Sequence, residues 1–388
     1  MKQHNATNYK EINKPIIEEI RITKDLSKNT IKSYTNALNQ YSTYHQKGIQ
    51  QLLQEADQEE EQRIRLKHRK IKQHLLNFKQ HLITQGKQPL TVNTLMNKIL
   101  STYHFYEIET PKMPSLKNTN HELIEDIPTK KHIRTVLQTT NNVALQALIL
   151  FMSSSGSAKN ETLSITIQDF INATREYHNE VTIENVIQVL EKRDDVVPTF
   201  QLYRKKTHYP YITFCTPEAT KKIVTYLRYR IHKQYPFSTV RPSCGVNPED
   251  KLFHFQSEVI NKHFIRLNDR LGWGWNGSSR FFHPHALRKF FATELLKSDM
   301  DSMTIDFLSG RKISSTHEAY FKADPMKLKQ KYMSFMNNLL INEEIVVRDV
   351  TSNELAELEL LREKEKVRDE KIRRMEALLK EYVQLSSD

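Results

Sequence analysis

Apolar residues recur every three or four positions along most of this chain. In SKNTIKSYTNALNQYSTYH, residues 27–45, Ile31, Tyr34, Leu38 and Tyr41 line one face of a helix, and Ser27 or Asn29 can cap its start. Residues 58–84 predict a second helix, with Ile64, His68, Ile71, Leu75, Phe78 and Leu82 on one face. Gly86 and Pro89 end it. A third helix starts near Thr91 and carries Leu95, Ile99 and Tyr106. Together these predict a small, basic, all-helical domain over residues 1–106. Residues 107–128, EIETPKMPSLKNTNHELIEDIP, hold three prolines and no sustained period, which predicts an interdomain linker.

A larger domain is expected over 129–341. It opens with helical runs at 129–153. Segments around 162–170, 181–190 and 199–214 are richer in β-branched and aromatic residues, and YITF, 211–214, predicts a strand after a turn at Thr207–Pro210. After Pro217 the pattern is mostly helical again. The fold class expected is mainly α with a small β-sheet or hairpin, that is, α+β. The remaining stretch, 342–388, predicts a charged C-terminal helix. Leu358, Leu361, Ile372, Met375, Leu379 and Tyr382 fall near heptad spacing, but Glu365 and Arg368 interrupt the seam. A coiled coil and a solvated tail helix both fit it.

Charge changes this picture. The 388 residues carry a formal net charge of +12. From Glu343 onward 13 acidic residues face 9 basic ones, so the chain before that point carries +16. A body that basic predicts a polyanionic partner, nucleic acid above all. With only eight glycines and no G-x-x-x-x-G-K, a phosphate loop is not expected. No apolar run reaches the roughly 18 residues of a membrane span, and the first residues lack the apolar core of a signal peptide. Cys215 and Cys244 are too few for a disulfide scaffold or a cysteine zinc site. The expectation is a cytoplasmic, nucleoid-associated protein.

Candidate chemistry clusters late in the chain. HPHALRKFFATELL, 283–296, sets His285 and Arg288 one helical turn apart beside Leu287, Phe290, Phe291 and Leu295. Taken alone, it reads as a helix entering the core with Arg288 facing water. His283 reads as a bystander, since HPH as a metal pair lacks a third ligand nearby. Downstream, FLSGRKISSTHEAYFKADP, 307–325, ends a helix at Leu308 and Gly310, then carries Arg311, His317, Tyr320 and Lys322. Upstream, RKKTHYPYITF puts Lys206 at the tip of an apparent hairpin, and SSSGSAKNETLSITIQDF ends a helix at Gly156 and begins another near Glu161.

In this order the motifs resemble those of the tyrosine recombinases, the phage integrase family, over residues 27–332. HALRKFFAT resembles the box H-x-L-R-H-x-x-A-T, matching His285 and Arg288 to its histidine and second arginine. LSGRKISSTHEAY resembles L-G-H-x-x-x-x-T-x-x-x-Y, matching Tyr320 to the nucleophile. KKTHYPYITF resembles the hairpin with the catalytic lysine, Lys206 being the best match. GSAKNE resembles G-L-R-x-x-E, with Glu161 as its acid. The lysine- and asparagine-rich style suggests the archaeal or mobile-element branch.

The resemblance implies a helical core-binding domain, a catalytic domain, and four protomers acting on two DNA duplexes, with the C-terminal segment docking on a neighbour. It implies site-specific integration or excision through a covalent phosphotyrosine link, with no metal and no cofactor. A tyrosine oxygen attacks a DNA phosphate, arginine forks stabilise the charge that builds on the non-bridging oxygens, a lysine protonates the departing sugar oxygen, and the histidine orients the phosphate or shuttles the tyrosine proton. Two positions depart from the pattern. Where the first box has an arginine this chain has Ala158, so Lys159 beside it is the expected stand-in. Where the last box has histidine or tryptophan it has Arg311, a second candidate phosphate contact. These departures keep open a DNA-binding relative that has lost cleavage. A type IB topoisomerase shares the chemistry, but the helical N-terminal domain and compact motif spacing disfavour it.

Overall fold

The structure is a computed structural model that describes residues 8–117, 124–204, 207, 209–231, 246–276 and 279–342. It divides into two compact units, Met1–His121 and Glu122–Asp388.

The first unit is helical in its described part. Short α1 (Tyr9–Ile12) and α2 (Lys14–Thr23) precede α3 (Lys28–His45), α4 (Ile49–Glu61), α5 (Lys70–Thr84) and α6 (Pro89–Phe105). Ser27 caps α3 by accepting a hydrogen bond from Thr30 N, and Tyr34, Leu38 and Tyr41 are buried as their spacing predicts. The single helix expected over 58–84 is two helices. The chain breaks between Glu61 and Lys70, with Arg63 at φ 55°. Polar side chains take up the helix ends: Glu59 accepts from Lys70 N at 2.8 Å, and Arg69 Nε donates to Ile64 O at 2.7 Å. His68, expected on the apolar face, is exposed as a result. Beyond α6, Ile108 is buried in this core, and Asn93 bonds both the N–H and the carbonyl of Leu116.

The second unit is built around α8 (Val143–Ser155), preceded by α7 (Lys130–Thr139). In α8 every residue from Ala144 to Ser155 except Gln146 is buried, so the helix is apolar all round and needs cover on all sides. Much of that cover comes from α12 (Pro217–Ile231) and α14 (Pro284–Lys297). Between α8 and α12 run α9 (Lys159–Thr162), α10 (Ile167–Ala173), α11 (Ile183–Leu190) and an antiparallel hairpin, β1 (Thr199–Arg204) and β2 (Tyr209–Phe214). Residues 181–190, rich in β-branched side chains, mostly form α11, because Ile183, Val186, Ile187 and Leu190 fall on one helical face and are buried together. After α12 come α13 (Ser257–Arg270), a minimal hairpin of β3 (Trp275–Asn276) and β4 (Ser279–Arg280), α14, α15 (Ser302–Leu308), α16 (Ser315–Ala323) and α17 (Pro325–Phe335). The protein is mainly α with two two-stranded sheets among the described residues.

No helix of the described residues is long and apolar enough to cross a membrane. Cys215 is buried, and burial pushes its thiol up to about 12. Cys244, the hairpin-tip Lys206 and the tail expected to be helical from 343 to 388 lie outside the described residues.

Candidate active site

The end of α8 organises the site. The last carbonyls of a helix have no partner within it, and here side chains from three other elements supply them. Tyr332 Oη donates to Ser154 O at 2.8 Å, Thr213 Oγ1 to Ser155 O at 2.7 Å, and Arg288 Nη1 to Gly156 O at 3.1 Å. Gly156 turns the chain at φ 64°, and a Cβ there would lie 2.4 Å from the Phe291 ring. Glycine is required on both counts, backbone and space.

Arg288 does not face water. It is 4% exposed, on the inner side of α14, at the negative end of the α8 dipole. Pro284 occupies the first turn of α14, and Asn268 fixes the approach by accepting from Phe282 N at 2.8 Å while donating to Gly274 O at 2.9 Å. Burial pulls the Arg288 pKa below the ordinary arginine value. Glu161 opposes that shift, and the charges of Arg204 and Arg311 add to it. His285, a turn earlier, is exposed.

Glu161 is the acid of this cluster and is itself 7% exposed. Its Oε2 accepts from Ala158 N and from Tyr211 Oη, each at 3.0 Å, and its Oε1 lies 3.4 Å from Arg204 Nε. Lys159 sits beside it but turns toward α13, donating to Asn261 Oδ1 at 2.9 Å and Ser257 O at 3.4 Å. Burial lowers its pKa, against the pull of Glu258.

Ala158, Lys159, Glu161, Arg204, His285 and Arg288 line one open cavity of about 520 Å³, together with Tyr203 and His283. Three cations face one carboxylate in that lining, so it favours an anion. Two expected members are placed differently. Arg311 does not line the cavity; it is exposed, and its Nη1 pairs with Asp306 Oδ1 at 2.9 Å. Tyr320 lies in α16, and its side chain is outside the described part. The helix that carries it meets the hairpin, since Lys322 Nζ lies 5.5 Å from the centre of the Tyr209 ring. Tyr332 and Tyr211 are fully buried, and burial raises both phenols well above the ordinary value. Neither is placed to attack a polymer.

No family model matches the chain. Over 228 residues it is 21% identical to the tyrosine recombinase XerA of Saccharolobus solfataricus, a match covering 59% of this chain and 61% of that protein. The chain is similar to the tyrosine recombinases. Solved structures of tyrosine recombinases and integrases also match. The XerH site-specific recombinase bound to a palindromic difH substrate matches with 14% identity and a TM-score of 0.48, covering 82% of this chain and 85% of its own. A lambda integrase dimer bound to a COC′ core site has 11% identity and a TM-score of 0.48 over 80% and 94%. The Tn1549 transposon integrase bound to transposon right end DNA has 13% identity and a TM-score of 0.47 over 81% and 99%.

Arg204 is the cavity residue that a motif-by-motif comparison with tyrosine recombinases passes over. The signal for it was present in the sequence. In TFQLYR the strand period of two sets Arg204 on the same side as Phe200 and Leu202, both buried, and opposite Gln201 and Tyr203, both exposed. An arginine closing an inward-facing row is directed into the body of the unit.

Proposed function

We propose that this chain cleaves and rejoins double-stranded DNA at a defined site through a covalent phosphotyrosine link, in the integration or excision of a mobile element. The observation that carries the reading is the buried Arg288, held by the end of α8 and lining an open cationic cavity together with Glu161. The sequence similarity to a tyrosine recombinase supports it.

In this reading Tyr320 Oη attacks the scissile phosphorus and its proton passes to His285. The bond from phosphorus to the departing deoxyribose oxygen breaks, and Lys206 gives that oxygen its proton. Arg288 donates to a non-bridging oxygen as charge builds there, Lys159 and Arg311 add positive potential, and Glu161 holds the guanidiniums in place. Rejoining is the same exchange run backwards on a new sugar hydroxyl. No metal or cofactor takes part in these steps. The active assembly is a homotetramer on two duplexes, with the helical domain at 1–106 and the catalytic domain at 129–341, joined by 107–128, gripping DNA and the segment 342–388 docking on a neighbour. Its setting is the nucleoid, in the cytoplasm.

Ala158 favours a second reading, a DNA-binding relative without cleavage. Duplexes tiled across the DNA flanking the gene, each nicked just beyond a candidate phosphate, separate the two. Cleavage there releases a short fragment, rejoining fails, and a denaturant-stable protein–DNA band accumulates. That band is expected for the recombinase on at least one duplex; retarded bands without it on every duplex identify the non-cleaving relative.

A further inference from the structure

Ala158 leaves a gap in the chemistry. Its methyl group cannot stabilise a phosphate oxygen, and the ammonium of its neighbour Lys159 is directed at Asn261 and Ser257 on α13. Arg311 is paired with Asp306 outside the cavity. One further guanidinium stands in the cavity wall. Arg204 closes β1 with its side chain 23% exposed. Nη1 donates to Gly310 O at 2.8 Å and Nε lies 3.4 Å from Glu161 Oε1, while Nη2 donates no hydrogen bond to the described residues. We infer that Arg204 supplies the second guanidinium at the scissile phosphate, from the hairpin rather than from the loop after α8; the inference rests on the phosphotyrosine reading above.

Three features favour that role over a purely structural tie. The first is a parallel with Arg288. Each arginine spends one donor on the carbonyl of a glycine at positive φ, Gly156 at 64° for Arg288 and Gly310 at 67° for Arg204. At Gly310 a Cβ would lie 2.6 Å from the Tyr211 ring. Tyr211 in turn donates to the same Glu161 that faces Arg204. A glycine carbonyl thus fixes each fork from behind, and the Glu161 carboxylate holds Arg204 as well while its charge acts on Arg288. The second is charge. Two guanidiniums close enough to repel, sharing one buried carboxylate, are an arrangement that a bound dianionic transition state relieves. The third is geometry. A planar fork anchored at Nε and Nη1 keeps its remaining edge in a fixed direction, which a lysine would not.

The test uses the full chain and the nicked duplexes. Arg204→Ala is expected to slow covalent complex formation by on the order of 100-fold or more, with DNA affinity changed far less. Arg204→Lys is expected to recover only part of that rate. A duplex carrying a neutral methylphosphonate at the scissile position separates chemistry from architecture, because a linkage without the negative charge no longer needs the second cation. On it, Arg204→Ala and the wild type are expected to react at similar rates. Adding Ala158→Arg to Arg204→Ala is expected to restore cleavage of the ordinary phosphate. Wild-type cleavage by Arg204→Ala overturns the inference while the phosphotyrosine reading stands. So does an equal deficit on both linkages that Ala158→Arg does not repair, which marks Arg204 as architectural. Absence of any covalent complex from the wild type on every duplex overturns the phosphotyrosine reading, and the inference with it.

Discussion

Gly156 shows how much of the site depends on single positions. Alanine there meets two costs: a left-handed backbone, roughly 1–2 kcal/mol, and a Cβ 2.4 Å from Phe291 in a packed core, roughly 1–3 kcal/mol. Gly156→Ala should therefore destabilise the second unit by about 2–5 kcal/mol. Where the variant still folds, the carbonyl that anchors Arg288 moves, so covalent complex formation should fall more than DNA affinity. Denaturant unfolding and the nicked-duplex assay measure the two effects; wild-type stability and rate in Gly156→Ala would remove the anchor from the account. The glycine was legible in GSAKNE because a helix ending in an apolar context needs a residue tolerant of positive φ. Arg288, read alone, points to water. Its burial follows from the unpaired carbonyl of Gly156, a long-range partner that spacing within HPHALRKFF does not contain. Arg204 was legible by strand period, but Lys205 and Lys206 follow it directly, and local pattern does not separate the three cations.

At the scale of elements, α3 and the hairpin followed from local pattern, because cap residues and period agreed with the tertiary packing. The break between α4 and α5 did not, since side chains distant in sequence, such as Glu59 capping Lys70, decide it. The packing of α3 against α5 also sets a pH response. The His45 ring lies 4.6 Å from Tyr41 and 4.5 Å from His74, with its Nε2 buried and unpartnered among the described residues. Burial, then the charge of His74, lowers its pKa from 6.5 to about 4, with Lys47 adding to the shift and Glu55 opposing it. Between those values the unfolded chain binds the proton and the folded chain does not. Stability present above about pH 6.5 is thus lost as pH falls toward 4. Far-UV circular dichroism should show the denaturation midpoint dropping across that window, and less steeply in His45→Leu. A midpoint independent of pH from 7 to about 4, or a slope unchanged by the substitution, would contradict the assignment.

At the scale of the whole molecule, charge and motif order carry the functional reading, and both are properties of sequence. A chain with +16 before residue 343 should contact several DNA phosphates. The logarithm of its affinity should then fall linearly with the logarithm of salt, at a slope of about −0.9 per phosphate neutralised. Removing residues 1–121, the first compact unit, should weaken binding and flatten that slope; fluorescence anisotropy across a salt series measures both, and an affinity indifferent to salt and truncation would rule out a backbone grip. The identity of the nucleophile is the central claim, and one measurement addresses it directly. The covalent complex from a nicked duplex is digested with protease and nuclease, and the peptide that retains a nucleotide is sequenced by mass spectrometry. The account predicts the nucleotide on Tyr320, with no covalent complex from Tyr320→Phe at undiminished DNA affinity. A nucleotide on another residue, Tyr203 at the exposed cavity wall for instance, or a complex that survives Tyr320→Phe, would contradict it.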